Sequence, residues 1–104
     1  MSVSLVITWS DGSVAEVPIA GQRGFLQDWR PLALELGLSW VPEFAYGINV
    51  SEQNLDSLLL EMVAFRDAAA ARGVDYEDVC RTSQCLVGAL QKLIHSRGWS
   101  AMFG

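Results

Sequence analysis

The sequence predicts an α+β fold: an N-terminal antiparallel β-hairpin, with a third short strand near residues 43–50, packed against three helices. Three observations predict it. Two β-rich runs flank Asp11-Gly12 near the start of the chain. Two long segments in the second half repeat their apolar residues at helical spacing. The composition, 104 residues and 51% hydrophobic, describes a single compact domain, 1–104. A chain of this size hides roughly two-thirds of its unfolded surface on folding, so it can build a core.

The elements follow in order. Ser4–Trp9 and Ser13–Ile19 are the hairpin strands, because Asp-Gly supplies the positive φ angles of a tight turn. A two-residue loop would pair Trp9 with Val14, Ile7 with Glu16 and Val6 with Val17. One face then carries Leu5, Ile7, Trp9, Val14 and Glu16. The other carries Val6, Thr8, Ala15, Val17 and Ile19, lacks charge, and is the expected core face. After a loop at Gly21–Gly24, Asp28 is the expected cap of a first helix with Pro31 in its first turn, ending at Gly37. Phe44, Tyr46, Ile48 and Val50 alternate with Glu43, Ala45, Gly47 and Asn49, which reads as a strand; an irregular loop is the alternative. Ser51 or Asn49 opens a long helix to Arg72, ended by Gly73, with Leu55, Leu58, Leu59, Met62, Phe65 and Ala69 on one face. Asp75 opens the last helix, which runs to about Ser96 and has Thr82-Ser83 as a point where it can break. Its core face is Tyr76, Val79, Leu86, Val87, Leu90, Leu93 and Ile94. Trp99 falls in the tail.

Charge narrows the function classes. The chain is net −5, which disfavours direct binding to nucleic-acid phosphates and favours a basic protein, or one that itself binds nucleic acid. Residues 43–78 carry eight acids against Arg66 and Arg72, whereas residues 79–104 carry only Arg81, Lys92, Arg97 and His95. No apolar run reaches the length of a membrane span and no export signal is visible, so a cytoplasmic location is expected and no membrane contact. Cys80 and Cys85 lie five residues apart on one helix and read as two reduced thiols. The only histidine, His95, lies about 15 Å along the helix from Cys85, too far to activate it. One histidine and two misplaced cysteines do not make the usual zinc site. No phosphate-binding glycine loop is present. No catalytic residue, metal or cofactor is therefore expected, and the chain reads as non-enzymatic.

Helix polarity accounts for the charges of the last helix, with Asp75, Glu77 and Asp78 at its start and Lys92, His95 and Arg97 at its end. It does not account for the middle helix. At about 100° per residue, Glu52, Asp56, Val63 and Asp67 share a narrow stripe, with Leu60 beside them. None of these acids has a base four residues on, and Glu52 has Asp56 there, a destabilising like-charge pair. Two readings stand beside each other: an ordinary solvated face, or a recognition face for a basic partner. A third sends the acids to Arg81 and Lys92 of the same chain. Glu61 sits on the far side of the helix, also without a base at that spacing. Arg66 flanks the apolar face, either lying along the core edge or pairing with another element. Of four tryptophans, Trp29 fits the core, while Trp9, Trp40 and Trp99 are candidates for an interface.

The favoured expectation is a small acidic protein that inhibits a basic or nucleic-acid-binding protein, like immunity proteins, antitoxins and phage-type inhibitors in size and charge but not in any motif. The candidate partner-binding residues are Glu52, Asp56, Leu60, Val63, Asp67 and Trp9. The alternative is a structural or oligomerisation subunit, including a homodimer, with the apolar hairpin face and Trp9 buried against another chain.

Overall fold

A computed structural model describes residues 2–104. The hairpin forms from β1 (Ser2–Trp9) and β2 (Val14–Gly21), but its register is one residue away from the expected one. Thr8 faces Val14, Ile7 faces Ala15 and Leu5 faces Val17. The cause is the loop. The Trp9 amide donates to the Ser13 carbonyl at 2.8 Å, and the Gly12 amide to the Trp9 carbonyl at 2.9 Å, so Ser10, Asp11 and Gly12 all lie in the turn. Gly12 supplies the positive φ of +89° that closes such a three-residue loop. The Asp11 carboxylate accepts from the amide and hydroxyl of Ser13 at 2.8 and 2.6 Å.

A one-residue slip changes which side chains share a face. The expected core face is therefore wrong for β1: Val3, Leu5 and Ile7 are buried, and Val6 and Thr8 point the other way. On β2, Ile19 is buried and Val17 half-buried, as expected. The pairing skips Ile19 between Ser4↔Pro18 and Val3↔Ala20, which marks a bulge.

The chain next turns helical earlier than expected, at α1 (Gln22–Gly24), and continues through a π-helical stretch, Phe25–Trp29, into α2 (Arg30–Glu35). Asp28 is inside this segment and caps nothing. Pro31 explains the wide turn. It has no N–H, and its ring would crowd the carbonyl four residues back. The Arg30 amide reaches Phe25, five residues back. The segment ends as expected at Gly37, with φ +72°; Gly37 donates to the Leu34 carbonyl and Leu38 to that of Ala33.

Residues Val41–Tyr46 form a 3₁₀ helix, so only Ile48–Val50 of the expected third strand is extended; it is β3. α3 spans Leu55–Ala71 and α4 spans Glu77–Ile94. α3 starts later than expected because Asn54 organises the entry. Its side-chain oxygen accepts from the Ser51 amide at 2.8 Å, and its nitrogen donates to the Asn49 carbonyl at 2.9 Å. α4 does not break at Thr82-Ser83: Ser83 is fully buried and its hydroxyl donates to the Val79 carbonyl, four residues back.

A strand the sequence reading did not anticipate completes the sheet. β4 (Trp99–Phe103) lies between β1 and β3, giving the order β2-β1-β4-β3 with every pair antiparallel. Gly98, with φ +68°, turns the chain from α4 into it. Ala101 and Phe103 point into the core; Ser100 and Met102 point out. The helices cover one face of the sheet. An aromatic series joins the layers: Phe103 stacks on Phe44 at 3.8 Å between ring centres, Phe44 meets Phe25, Phe25 meets Trp29, and Trp29 stacks on Phe65 of α3 at 4.7 Å.

Candidate functional site

The candidate residues sit on the helical layer, where α3 and α4 run side by side in opposite directions. The first turn of α3 thus lies beside the last turn of α4. There Glu52 and Asp56, both exposed, line a hollow of about 220 Å³ with Leu55, Leu93, Ile94, Ser96 and Trp99. Glu52 is in the turn before α3, not on the helix, so the acids form a cluster at the helix entry and not a continuous stripe. The Ser96 hydroxyl donates to the Lys92 carbonyl at 2.7 Å, and the Trp99 indole N–H donates to the Ser96 carbonyl at 3.2 Å. The hollow therefore offers carboxylate acceptors beside an apolar and aromatic wall.

The other candidates separate. Leu60, one turn along α3 from Asp56, is 72% exposed. Val63 is half-buried and packs against the core, so it is no free anchor. Asp67 lies towards the other end of α3, and its carboxylate holds Arg66 at 3.2 Å. Arg66 also donates to Gln84 of α4 at 2.9 Å, so its guanidinium bridges the two helices. Trp9 is half-buried in the core's edge, opposite Trp99 in the sheet, with the Lys92 ammonium 5.8 Å from its ring centre. Trp40 and Trp99 are likewise half-buried, and Trp29 is buried.

The internal route for the acids is not taken. Arg81 pairs with Asp78, Arg72 pairs with Glu35 at 2.6 Å, and Lys92 rests on Trp9. Among the described residues, neither Glu52 nor Asp56 has an ion-pair partner. Helix polarity leaves them where a carboxylate suits the α3 N-terminus.

One acid has a structural task that the sequence did not reveal. Glu61 accepts from the amides of Ser39 at 3.1 Å, Trp40 at 2.8 Å and Val41 at 3.2 Å. It fixes the start of the 3₁₀ helix to the side of α3. Its partners lie 20–22 residues upstream, so helical spacing gives no sign of them.

Cys80 is half-buried and Cys85 exposed, and both are free thiols. Asp11 titrates below the usual aspartate range because its carboxylate accepts from the hydroxyl and then the amide of Ser13. Among the described residues no cluster of three or more His, Cys, Asp or Glu could hold a metal ion, and no helix is long and apolar enough to cross a membrane. No protein-family model matches this chain, and no significant match was found among the curated proteins or the solved structures.

Proposed function

We propose that this protein is a small, non-enzymatic, cytoplasmic inhibitor that binds a basic or nucleic-acid-binding protein through its acidic helical layer, in the manner of an immunity protein, an antitoxin or a phage-type inhibitor. One observation carries the reading: Glu52 and Asp56 are exposed, have no basic partner in the described chain, and border a hollow walled by Leu93, Ile94 and Trp99. A lysine or arginine of the partner would place its charged head on the carboxylates and its methylene stem against that wall. Leu60 is the exposed apolar contact next to it. Asp67 contributes at long range, its charge partly met by Arg66. Trp9 supports the site from beneath by holding Lys92 away from the acids.

The test is capture from a lysate of the native cell with the wild-type chain and with Glu52→Lys/Asp56→Lys as baits. The expected result is a basic protein retained by the wild type, and lost with the variant and at high salt. With that protein purified, the variant should lower the association rate tenfold or more, with the larger part of the effect at low salt. Equal capture by both baits overturns the reading.

A further inference from the structure

We propose that the outer face of the sheet is the contact surface of a homodimer. The sequence reading placed the apolar hairpin face and Trp9 at such a contact. In the structure that face is taken up by the chain's own helices, which leaves the opposite face open. The strand register lays this open face out as a grid. Its middle row is Glu16, Val6, Met102 and Asn49; one flanking row is Val14, Thr8 and Ser100; the other is Pro18, Ser4 and Gly104. Val14 is 63% exposed and Met102 46% exposed. A shallow groove of about 160 Å³ runs between Val6, Thr8, Asn49 and Met102.

Charge identifies the occupant. Charged residues make up 18% of the chain, yet Glu16 is the only one on the grid. Its carboxylate accepts from the hydroxyl of Ser4 at 3.0 Å, a residue 4% exposed on the same face. A basic partner finds little there to bind. A second copy does fit, because the protein is net −5 and most of its acids lie away from this face. Two sheets packed face to face sit about 10 Å apart, and each helical layer lies about 10 Å further out. The two acidic layers are then some 30 Å apart, about three Debye lengths at physiological salt. Other pairings of two copies bring acids closer together.

The area is sufficient for a reversible dimer. Four strands at about 4.8 Å and five residues along each give a footprint of roughly 19 by 17 Å. With side-chain relief this corresponds to roughly 500 Å² of accessible surface per copy, near the lower limit for a specific interface. The dimer would expose both acidic layers outward, leaving each free for its own partner, and it does not depend on the function proposed for that layer.

Sedimentation equilibrium of the full chain from roughly 1 µM to 1 mM covers the range in which so small an interface associates. The expected result is a monomer–dimer equilibrium that strengthens with salt, opposite in sign to acidic-face binding. Thr8→Lys and Met102→Lys, each exposed and outside the core, should weaken it tenfold or more, with unchanged circular dichroism. Leu60→Lys on the helical layer should leave it unaltered. A monomer throughout the range overturns the proposal, as does a dimer that Leu60→Lys disrupts and the sheet-face variants do not.

Discussion

Replacing Glu61 by alanine removes the acceptor of three amides at once, those of Ser39, Trp40 and Val41. The contacts to Trp40 and Val41 are part-buried, and that to Ser39 is exposed. An orphaned buried amide costs about 1–3 kcal/mol, whereas water replaces an exposed partner cheaply. The expected loss for Glu61→Ala is about 2–4 kcal/mol, out of a total stability of about 5–15 kcal/mol for a domain of this kind. In a domain near 100 residues that lowers Tm by roughly 10–30 °C. Glu61→Gln should lose only about 1 kcal/mol. The oxygen that serves Trp40 and Val41 can be kept as the amide carbonyl, and one bond and the charge are lost. The damage should spread, because the 3₁₀ helix carries Phe44 onto Phe103. Urea unfolding followed by tryptophan fluorescence and far-ultraviolet circular dichroism measures both variants. If Glu61→Ala unfolds within about 0.5 kcal/mol of the wild type, or if Glu61→Gln falls as far as Glu61→Ala, the three-amide cap is not what holds this junction.

Two glycines should respond with opposite signs. Gly88 lies inside α4 with open space where a Cβ would go, so Gly88→Ala should stabilise by about 0.5–1 kcal/mol in urea unfolding. Gly98 has φ +68°, and its Cβ would meet Ser10 at 3.0 Å, so Gly98→Ala should destabilise by about 1–3 kcal/mol in the same assay. The folded-state pKa of Asp11 lies below its unfolded value. Its contribution is therefore complete above the unfolded value of about 3.9 and disappears as pH falls through the folded one. Carbon-detected NMR should find the Asp11 carboxylate titrating below the usual range in the wild type, and close to it in Ser13→Ala; identical titrations would remove the cause assigned here. The Nε of Arg30 is buried with no hydrogen-bond partner among the described residues. Arg30→Met should then lie within about 1 kcal/mol of the wild type or above it, and a larger loss by calorimetry would mean that the guanidinium has an essential partner.

The elements legible in the residues were those with local signals. The α3 core face was readable because Leu55, Leu58, Met62, Phe65 and Ala69 recur at helical spacing, and all five are buried. Gly37 and Gly73 marked helix ends because positive φ there suits glycine. Asp11-Gly12 marked the turn but not its length, since a two- and a three-residue loop use the same pair of residues. The resulting slip misassigned the buried face of β1. Asn54 was overlooked because its bonds to Ser51 and Asn49 redirect the chain before helical spacing begins. At the candidate site, the exposure of Leu60 and the burial of Val63 could not be separated by helical angle alone, because which flank of α3 is covered depends on where its neighbours lie.

The sequence by itself determined an acidic α+β chain, its hairpin, its two long helices and the apolar faces they bury. Those properties are written in spacings of two to four residues and in backbone preferences that act locally. Only the tertiary structure decided that the tail becomes β4, that Glu61 reaches across to Trp40, and that Asp67 is engaged by Arg66. It also decided that Glu52 and Asp56 meet the end of α4 with no base beside them. Each of these is a contact between segments far apart in the chain, or between side chains whose rotamers packing selects. Coulomb forces and hydrogen bonds act through space, so the unpaired acids and the uncharged sheet face became distinct surfaces only once the chain had folded.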